Sequence, residues 1–367
     1  MENNKLILST LFLSLSLSHS AIADEVSESV QSKVLNGESA ASLANNLLPW
    51  QAAMLSEPNI FGQVISGCGA VVIADHWAVT AAHCVDADML GDTLVAGTTY
   101  IPQGQANTVD AKYQFKIINK IKHENYNPGL SQNLTAGDAD HDIALLEIEG
   151  SLTSVAKPIK VATPAEQAKA DLEFANTWSA TAYSAGNLIG SGWGNSTPDY
   201  EQPNELQVVK LGGIPISSCN STDIMTVDSN FICADSNNPD IKKDVCAGDS
   251  GGPLIWQNPE MVNEDDFGLR VVGVTSNGPS CEYKDKGYEA AQYNGLYTEL
   301  AAYYDWIEDK TGLDLDASPT SKFDSDPFKL AKEDKTVKKS SGSSGGGSVP
   351  LGAIALMSLA AFIRRKK

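Results

Sequence analysis

The chain has 367 residues, of which 42% are hydrophobic and 20% charged, a balance typical of globular proteins and unlike that of disordered chains. Its formal net charge of −20 is uneven: the last four residues carry +4, so the remainder sums to −24. A body this acidic excludes binding to nucleic acid or anionic lipid by simple charge attraction, and it fits either plain solubility or attraction of basic substrates.

The N-terminus has the pattern of an export signal. Lys5 precedes an apolar run from Leu6 to Leu17, and Ala21 and Ala23 stand at the two positions that a signal peptidase reads. The apolar run is too short for an ordinary membrane-spanning helix. We therefore expect residues 1–23 to be a signal peptide that is removed on export, with an uncleaved anchor as the alternative.

The cysteine content agrees with export to an oxidising compartment, where disulfides form and persist. The chain has six cysteines, and none shows the paired CxxC spacing of a zinc site. Six cysteines allow fifteen pairings, and spacing alone does not choose among them. The cysteines are Cys68, Cys84, Cys219, Cys233, Cys246 and Cys281.

Between residues 34 and 311 the sequence consists of short apolar runs separated by Gly, Asn, Asp and Pro. Runs of this length, enriched in β-branched residues, predict strands, and many such runs with turns between them predict a barrel or a sandwich. One helix is predicted over Tyr297–Lys310, where Leu300, Tyr304 and Ile307 share a helical face. The clearest strand candidates are Gly69–Ile73, Trp77–Thr80, Ile143–Ile148 and Leu269–Val274.

Beyond residue 311 the composition changes twice. Residues 312–348 are polar and end in a Ser/Gly-rich stretch, which predicts a linker. An uncharged apolar run, residues 349–363, follows and ends in four basic residues. The run is short against the roughly 20 residues that span a bilayer, although flanking basic side chains can snorkel and extend its reach.

The order of Gly-rich motif, apolar run and basic cluster resembles the GlyGly-CTERM sorting tail of exported proteins in Gram-negative bacteria. The resemblance covers residues 349–367 and the Gly run before them. It implies temporary anchoring in the inner membrane, cleavage near the Gly run, and then release or attachment to the cell surface. The alternative is a plain C-terminal membrane anchor.

Three segments of the body carry the residue types of nucleophilic catalysis. A serine hydroxyl is a poor nucleophile at neutral pH and needs a base within hydrogen-bond reach, and histidine titrates in the right range. The histidine needs an acceptor on its other nitrogen, and a Gly-rich turn can supply backbone N–H groups for the developing oxyanion. The segments are Thr80–Cys84 with His83, Asp140–Leu145 with Asp142, and Asp244–Leu254 with Ser250.

These segments, in the order His, Asp, Ser, resemble the chymotrypsin/trypsin family of serine proteases, and the order differs from that of subtilisin and of α/β-hydrolases. The resemblance covers Val34–Thr311 and implies an all-β fold of two six-stranded antiparallel β-barrels with a C-terminal helix. It implies His83 as the base, Asp142 as the residue that orients it, and Ser250 as the nucleophile. The backbone N–H groups of Gly248 and Ser250 would form the oxyanion hole.

The resemblance extends to the substrate pocket. Asp244 lies six residues before Ser250, where trypsin-like enzymes place a carboxylate at the floor of the pocket. Gly278 and Gly295 match the two glycines that keep the pocket walls open. Ser276 matches the residue that backs the orienting aspartate and pairs with the substrate chain.

Such a pocket predicts cleavage after arginine and lysine, because a buried carboxylate without a partner favours a cationic P1 side chain. Val245, next to Asp244, lacks the hydroxyl that helps to solvate a lysine ammonium, which favours arginine over lysine. The alternative is that Asp244 pairs with Lys242 or Lys243 and that the pocket is inert.

The resemblance also implies how the cysteines pair and where this sequence departs from the family. Asn277 occupies the place of a usual tryptophan, so one wall of the non-primed substrate groove is altered. The segment after Cys84 lacks the pair of glutamates that hold calcium in trypsin, and we expect neither a metal nor a cofactor. The implied disulfides are Cys68–Cys84, Cys219–Cys233 and Cys246–Cys281.

The segment around Lys33 resembles the activation site of the family. A cut after Lys33 would release a propeptide, residues 24–33, and free the amino group of Val34. The resemblance implies that this ammonium inserts and pairs with Asp249, which would order the oxyanion turn. Whether the activating protease is the chain itself or another enzyme is open.

The sequence therefore predicts a secreted serine endopeptidase, made as a zymogen and monomeric, that acts on protein and peptide substrates with a basic P1 residue. It would reach the cell exterior or the cell surface after the tail is processed, and a protease anchored in the inner membrane and facing the periplasm is the alternative. The rival from another class is a catalytically silent binding protein on the same fold. Silent relatives usually lose a triad member or an oxyanion glycine, and this chain keeps all of them.

Overall fold

The computed structural model describes residues 37–86, 90–127, 141–195, 201–219, 230–241, 243–278 and 294–332. The signal-peptide, propeptide and tail predictions concern residues outside these ranges. The strands are β1 (Glu38–Ser39), β2 (Gln51–Ser56), β3 (Ser66–Ala74), β4 (Trp77–Thr80), β5 (Leu90–Ala96), β6 (Gln114–Lys122), β7 (Ala144–Ile148), β8 (Lys160–Val161), β9 (Leu188–Gly192), β10 (Gln207–Ile214), β11 (Phe231–Asp235), β12 (Pro253–Gln257), β13 (Leu269–Asn277) and β14 (Gly295–Glu299). The α-helices are α1 (Ala40–Leu43), α2 (Ala82–Asp86), α3 (Pro164–Thr177), α4 (Tyr304–Thr311) and α5 (Pro327–Leu330).

The first barrel consists of antiparallel strands that close in the order β2-β3-β4-β7-β6-β5. Successive side chains of a strand point to opposite faces, and both faces of β2 are apolar. Ala52 and Met54 join a buried cluster to which every strand of this barrel contributes, so that cluster fills the barrel interior. Ala53 and Leu55 point the other way, into a cluster that includes residues of the second barrel.

The second barrel closes in the order β9-β10-β11-β14-β13-β12, with β10 pairing back onto β9. All pairs within this ring are antiparallel. Strand β1 pairs with β10 outside the ring, and β8 lies parallel to β13. The predicted all-β fold of two six-stranded antiparallel barrels is therefore confirmed.

A shared apolar core joins the two barrels. From the first barrel it takes Val71, Val79 and Leu145, and from the second it takes Ile189 and Ile255, all fully buried. Burial of apolar side chains on both sides of the contact removes their surface from water and fixes the barrels against each other. The shared core thereby also fixes the loops of the two barrels that border this contact relative to each other.

The predicted helix begins later than its apolar spacing indicates. Tyr297 belongs to β14, which is paired on both sides with β11 and β13, and a 3₁₀ turn follows over Leu300–Tyr303. Helix α4 covers Tyr304–Thr311 and ends at Gly312, whose φ of +71° suits a glycine cap. Strand pairing on two sides outweighs the helical spacing, so the prediction over Tyr297–Lys310 is right only in its second half.

The polar segment after α4 does not have the structure of a linker over the described residues. Residues 313–332, here called the C-terminal strap, place Leu315 and Phe323 in the shared core. The Phe323 ring packs edge-on against the Trp50 indole, with ring centroids 4.8 Å apart. The strap is thus part of the folded body despite its polar composition.

Hydrogen bonds fix the strap along its length. The Ser321 hydroxyl donates to the carbonyl of Pro158 (2.6 Å), and the Phe323 N–H donates to the carbonyl of Asp265 (3.1 Å). At its end the Lys332 N–H donates to a Glu38 carboxylate oxygen (2.6 Å). The strap therefore contacts the segment between the barrels, the second barrel and the N-terminal strand.

In the described ranges, no helix combines the length and the apolar character needed to cross a membrane.

Candidate active site

His83 lies in the first turn of α2, directly after β4 ends. The end of β4 is fixed by the Thr80 hydroxyl, which donates to the carbonyl of Gly69 on β3 (2.8 Å). A disulfide between Cys84 and Cys68 fastens the helix to the same strand. The His83 side chain remains 35% exposed, so a substrate can reach its ring.

Asp142 lies immediately before β7 and is buried, with 3% of its surface exposed. One carboxylate oxygen accepts the His83 backbone N–H (2.8 Å). The other lies 2.8 Å from the His83 Nδ1 and accepts the Ser276 hydroxyl (2.7 Å). A carboxylate bound in this way holds the imidazole in one orientation, with a proton on Nδ1 and Nε2 left as the acceptor.

Ser250 lies in the turn between residues 246 and 252. Its carbonyl accepts the Gly69 N–H (2.7 Å), which connects this turn of the second barrel to β3 of the first. Gly248 and Gly251 have φ of +98° and +75°, values that favour glycine. A Cβ on Gly251 would also lie 2.1 Å from the Thr80 hydroxyl, so the close approach of the barrels requires glycine there.

Asp249 is fully buried beneath this turn. Its carboxylate accepts the backbone N–H groups of Gly194 (2.7 Å) and Cys246 (2.8 Å). A Cβ on Gly192 or on Gly194 would overlap the carboxylate, which explains the glycines on both sides of Trp193. Burial raises the pKa of Asp249 to about 6, because the charged form loses its hydration.

Asp244 and the two predicted wall glycines lie together. Asp244 is buried, and its Oδ1 accepts the Val245 N–H (2.8 Å). A Cβ on Gly295 would lie 3.3 Å from that same Oδ1, and a Cβ on Gly278 would lie 3.3 Å from the Gly295 Cα. Larger residues at these two positions would fill the space in front of the carboxylate.

The described cysteines are all in disulfides. Cys68–Cys84 and Cys219–Cys233 have Cα separations of 6.2 and 5.9 Å. Cys246 is also disulfide-bonded, and Cys281, the partner that the resemblance implies, lies outside the described residues. Ligand atoms of Cys68, Cys84 and His83 lie within 4.8 Å of one another. Both sulfurs are in a disulfide, so they are not the thiolates that bind metal.

The structure also brings residues to the site that the motifs do not contain. The Thr298 hydroxyl donates to the main-chain carbonyl of Asp142 (2.9 Å), and the Gln202 carboxamide lies against Gly248. Thr298 is fully buried, and a polar residue within an apolar strand is the one signal that could have indicated it. Nothing in the local sequence around Gln202 indicates its position.

Comparison with known proteins gives one consistent result. Residues 36–307 match the family model described as Trypsin. Kallikrein-1 of Mus musculus is 28% identical over 306 residues, which cover 82% of this chain and 96% of the relative. Kallikrein 1-related peptidase b5 of Mus musculus is 29% identical over 306 residues, which again cover 82% of this chain and 96% of the relative. Coagulation factor IX of Oryctolagus cuniculus is 29% identical over 276 residues, or 75% of this chain and 83% of the relative.

Proposed function

The chain belongs to the trypsin family and is a trypsin-like serine protease, and on that basis we propose a secreted endopeptidase, made as a zymogen, that cleaves after arginine and lysine. One observation carries the proposal: a buried Asp142 carboxylate lies 2.8 Å from the His83 Nδ1 and also accepts the Ser276 hydroxyl. This arrangement fixes the tautomer in which His83 can act as a base.

In the proposed mechanism the His83 Nε2 takes the proton of the Ser250 hydroxyl as the oxygen attacks the scissile carbonyl. The tetrahedral intermediate collapses when His83 gives that proton to the leaving amine. Water then hydrolyses the acyl-enzyme by the same steps. The Gly248 and Ser250 N–H groups would stabilise the oxyanion, and within the described residues neither donates to another acceptor.

The proposed specificity rests on Asp244. A buried carboxylate at the end of a pocket favours a cationic P1 side chain, because the opposite charge offsets the cost of burying the carboxylate. The neighbouring Lys243 directs its ammonium to the Asn237 side-chain oxygen (3.1 Å), and Lys242 lies outside the described residues. Since Val245 offers no hydroxyl, arginine should be preferred to lysine. Peptides that differ only at P1 test this, and equal rates after Phe and Arg would refute it.

The proposed zymogen step concerns Lys33 and Val34, which lie outside the described residues. Its support is the buried Asp249, whose raised pKa reflects the cost of charging it without a cation. A Val34 ammonium would supply that cation and favour the charged form. Lys33→Gln should therefore give a chain with little activity, and full activity in that variant would contradict the zymogen step.

Export and tail processing are proposed from the terminal segments, which also lie outside the described residues. The disulfides of the body fit an oxidising compartment. If the tail is cut near its Gly run, the protein recovered outside the cell lacks Arg364–Lys367. Intact mass measures this, and a mass that includes these four residues would contradict the processing.

One experiment tests nucleophile, pocket and activation together. Purified protein ending before Val349 is assayed on a chromogenic peptide with arginine at P1, with and without trypsin pretreatment. Ser250→Ala, treated identically, measures any trypsin carried over. We expect activity only after pretreatment and none above carry-over in the variant. Activity equal in the two proteins would remove Ser250 as nucleophile, and an inert wild type would favour the inert pocket or the silent binding protein.

A further inference from the structure

His141, the residue before Asp142, has an unusual backbone conformation. Its φ of +48° lies in the left-handed region, which a residue with a large side chain adopts only where its surroundings hold it. The His141 carbonyl accepts the Ile143 N–H (2.7 Å), which closes a three-residue turn with Asp142 at its centre. Thr298 and Ser276 bind the carbonyl and the carboxylate of Asp142 from the second barrel, so the peptide before Asp142 needs a support of its own. The direction of the Asp142 side chain therefore depends on the conformation of His141.

Two aromatic rings provide this support. The His141 Nδ1 lies 3.1 Å from the Tyr303 hydroxyl, and the His141 ring stacks on the His123 ring, with centroids 4.5 Å apart and planes 8° apart. Tyr303 is buried in the 3₁₀ turn after β14. His123 directly follows β6, and its N–H donates to the carbonyl of Ile143 (3.0 Å). The His141 ring is thus fixed between the end of β6 and the turn before α4.

The stacked pair consists of neutral rings at neutral pH. The His123 Nδ1 accepts the Asn125 N–H (3.3 Å), so this nitrogen carries no proton. Burial, and after it the neighbouring His141, lower the pKa of His123, because both disfavour a positive charge on its ring. The charged groups beside the pair, Glu124 and Lys310, lie 4.0 Å apart and act on His123 in opposite directions. The stack therefore persists at the pH at which a histidine can act as a base.

We propose that His141 is a positioning residue for Asp142. Tyr303 and His123 hold its ring, so the left-handed backbone that directs the carboxylate does not relax. His141 acts through Asp142 and not on the reacting atoms: it keeps the carboxylate on the His83 Nδ1. The inference rests on the proposed function, because it takes Asp142 and His83 as the orienting pair.

Tyr303→Phe tests this with the smallest change, because it removes one hydroxyl and leaves the backbone and the ring in place. The activated protein is assayed on a peptide arginine p-nitroanilide, the arginine anilide, with active sites counted by burst titration with an ester. The kcat should fall about threefold, part of the effect of one neutral hydrogen bond, while KM changes by less than about twofold.

The pH profile separates positioning from general stability. The acid limb of kcat/KM arises where His83 takes up a proton. A carboxylate held against the imidazole favours the protonated ring, so a displaced Asp142 should move this limb to lower pH. A threefold weaker pairing corresponds to about half a pH unit. A purely structural role for Tyr303 would lower the free energy of unfolding and leave the acid limb where it is.

Two variants of His141 test the backbone conformation itself. His141→Ala removes the ring but needs the same unfavourable conformation, and kcat should fall about tenfold. Asparagine adopts the left-handed conformation far more readily than alanine, so His141→Asn should retain activity within about threefold of the wild type. Combined with His141→Asn, Tyr303→Phe should have no further effect, because no ring remains for the hydroxyl to hold.

Tyr304→Phe is the matched control. The Tyr304 hydroxyl donates to the Asp316 carboxylate in the C-terminal strap (2.9 Å), away from the histidine pair. Its removal should leave kcat within about twofold of the wild type and the acid limb unchanged. An equal shift of the acid limb in Tyr304→Phe and Tyr303→Phe would overturn the assignment, since the effect would then not come from the contact with His141.

The outcomes separate this inference from the proposed function. Unchanged kcat and acid limb in Tyr303→Phe, or equal losses in His141→Ala and His141→Asn, would overturn the positioning role while leaving the protease intact. A wild type that does not hydrolyse the anilide after activation would overturn both. If His141→Ala fails to fold, the acid limb of Tyr303→Phe still decides. A lower kcat with the acid limb moved to lower pH, together with the retained activity of His141→Asn, supports the assignment.

Discussion

Phe323→Ala tests whether the C-terminal strap belongs to the folded body. Phe323 is 4% exposed and packs edge-on against Trp50. Replacing a buried phenylalanine by alanine costs about 3–5 kcal/mol, and we expect about 3 kcal/mol because a strap close to a chain end can relax around the cavity. That is a large share of the roughly 5–15 kcal/mol of a typical domain. At about 2–4 °C per kcal/mol, Tm should fall by roughly 6–12 °C.

Urea unfolding followed by circular dichroism measures the change, with disulfides kept oxidised. The expected result is a lower midpoint at an unchanged slope, which indicates lost stability without a change in the surface exposed on unfolding. Phe61→Ala is the matched control: Phe61 is 80% exposed, and its loss should change the free energy by less than about 0.5 kcal/mol. Equal, small effects of both variants would refute the packing and restore the linker interpretation.

Three further predictions concern Ser276, Glu299 and the C-terminal strap. Ser276→Ala removes a hydrogen bond to the Asp142 carboxylate, and kcat/KM for the arginine anilide should fall at least about tenfold, since bonds to charged groups contribute about 1.5–3 kcal/mol. Burial, helped by a nearby carboxylate, raises the pKa of Glu299 from 4.5 to about 8, so the native state keeps a proton that the unfolded chain releases. The free energy of unfolding of the wild type should therefore decrease as pH rises from 4.5 to 8. Glu299→Gln, measured by urea unfolding across that range, should show a smaller decrease. A chain ending at Lys332 should keep the Tm of the wild type. A chain ending at Thr311 lacks the strap, and its Tm should decrease by at least as much as that of Phe323→Ala. Equal Tm values for the two truncated chains would contradict this.

Site residues could be predicted from the sequence where the local backbone conformation requires a particular residue type. The turn at Ser250 needs glycines at Gly248 and Gly251 because of their backbone angles and the nearness of the first barrel, and that need appears as a short pattern. Thr298 reaches Asp142 only through the pairing of β14 with its neighbours. Gln202 reaches the turn only where the two barrels meet. A contact that depends on tertiary structure has no pattern in the neighbouring sequence, so it could not be predicted from the sequence.

Helix α3 has a clear start signal in its sequence but only a weak apolar periodicity. Thr163 and Glu166 form a capping box around Pro164, and this pattern in the sequence predicts a helix start. The helix itself is weakly amphipathic, with Ala170 and Phe174 buried among mostly polar residues. Apolar periodicity alone therefore does not detect it. Capping residues stabilise a helix by hydrogen bonds at its end, whereas apolar periodicity reflects burial of one face. A helix with strong caps therefore needs only a narrow apolar face.

The strap shows the opposite limit, where the local signal is misleading. Average composition predicts disorder when a segment cannot bury enough apolar surface to offset its conformational entropy. That argument holds for a segment that must form its own core. Leu315 and Phe323 instead enter a core that the barrels already form, and the Ser321 hydroxyl and the Phe323 N–H donate to main-chain carbonyls of the body. A few apolar side chains then suffice, because the surface that receives them is supplied by residues up to about 270 positions earlier in the chain, such as Trp50. Composition averages over the segment and contains no information about that surface, so only the fold could reveal the packing.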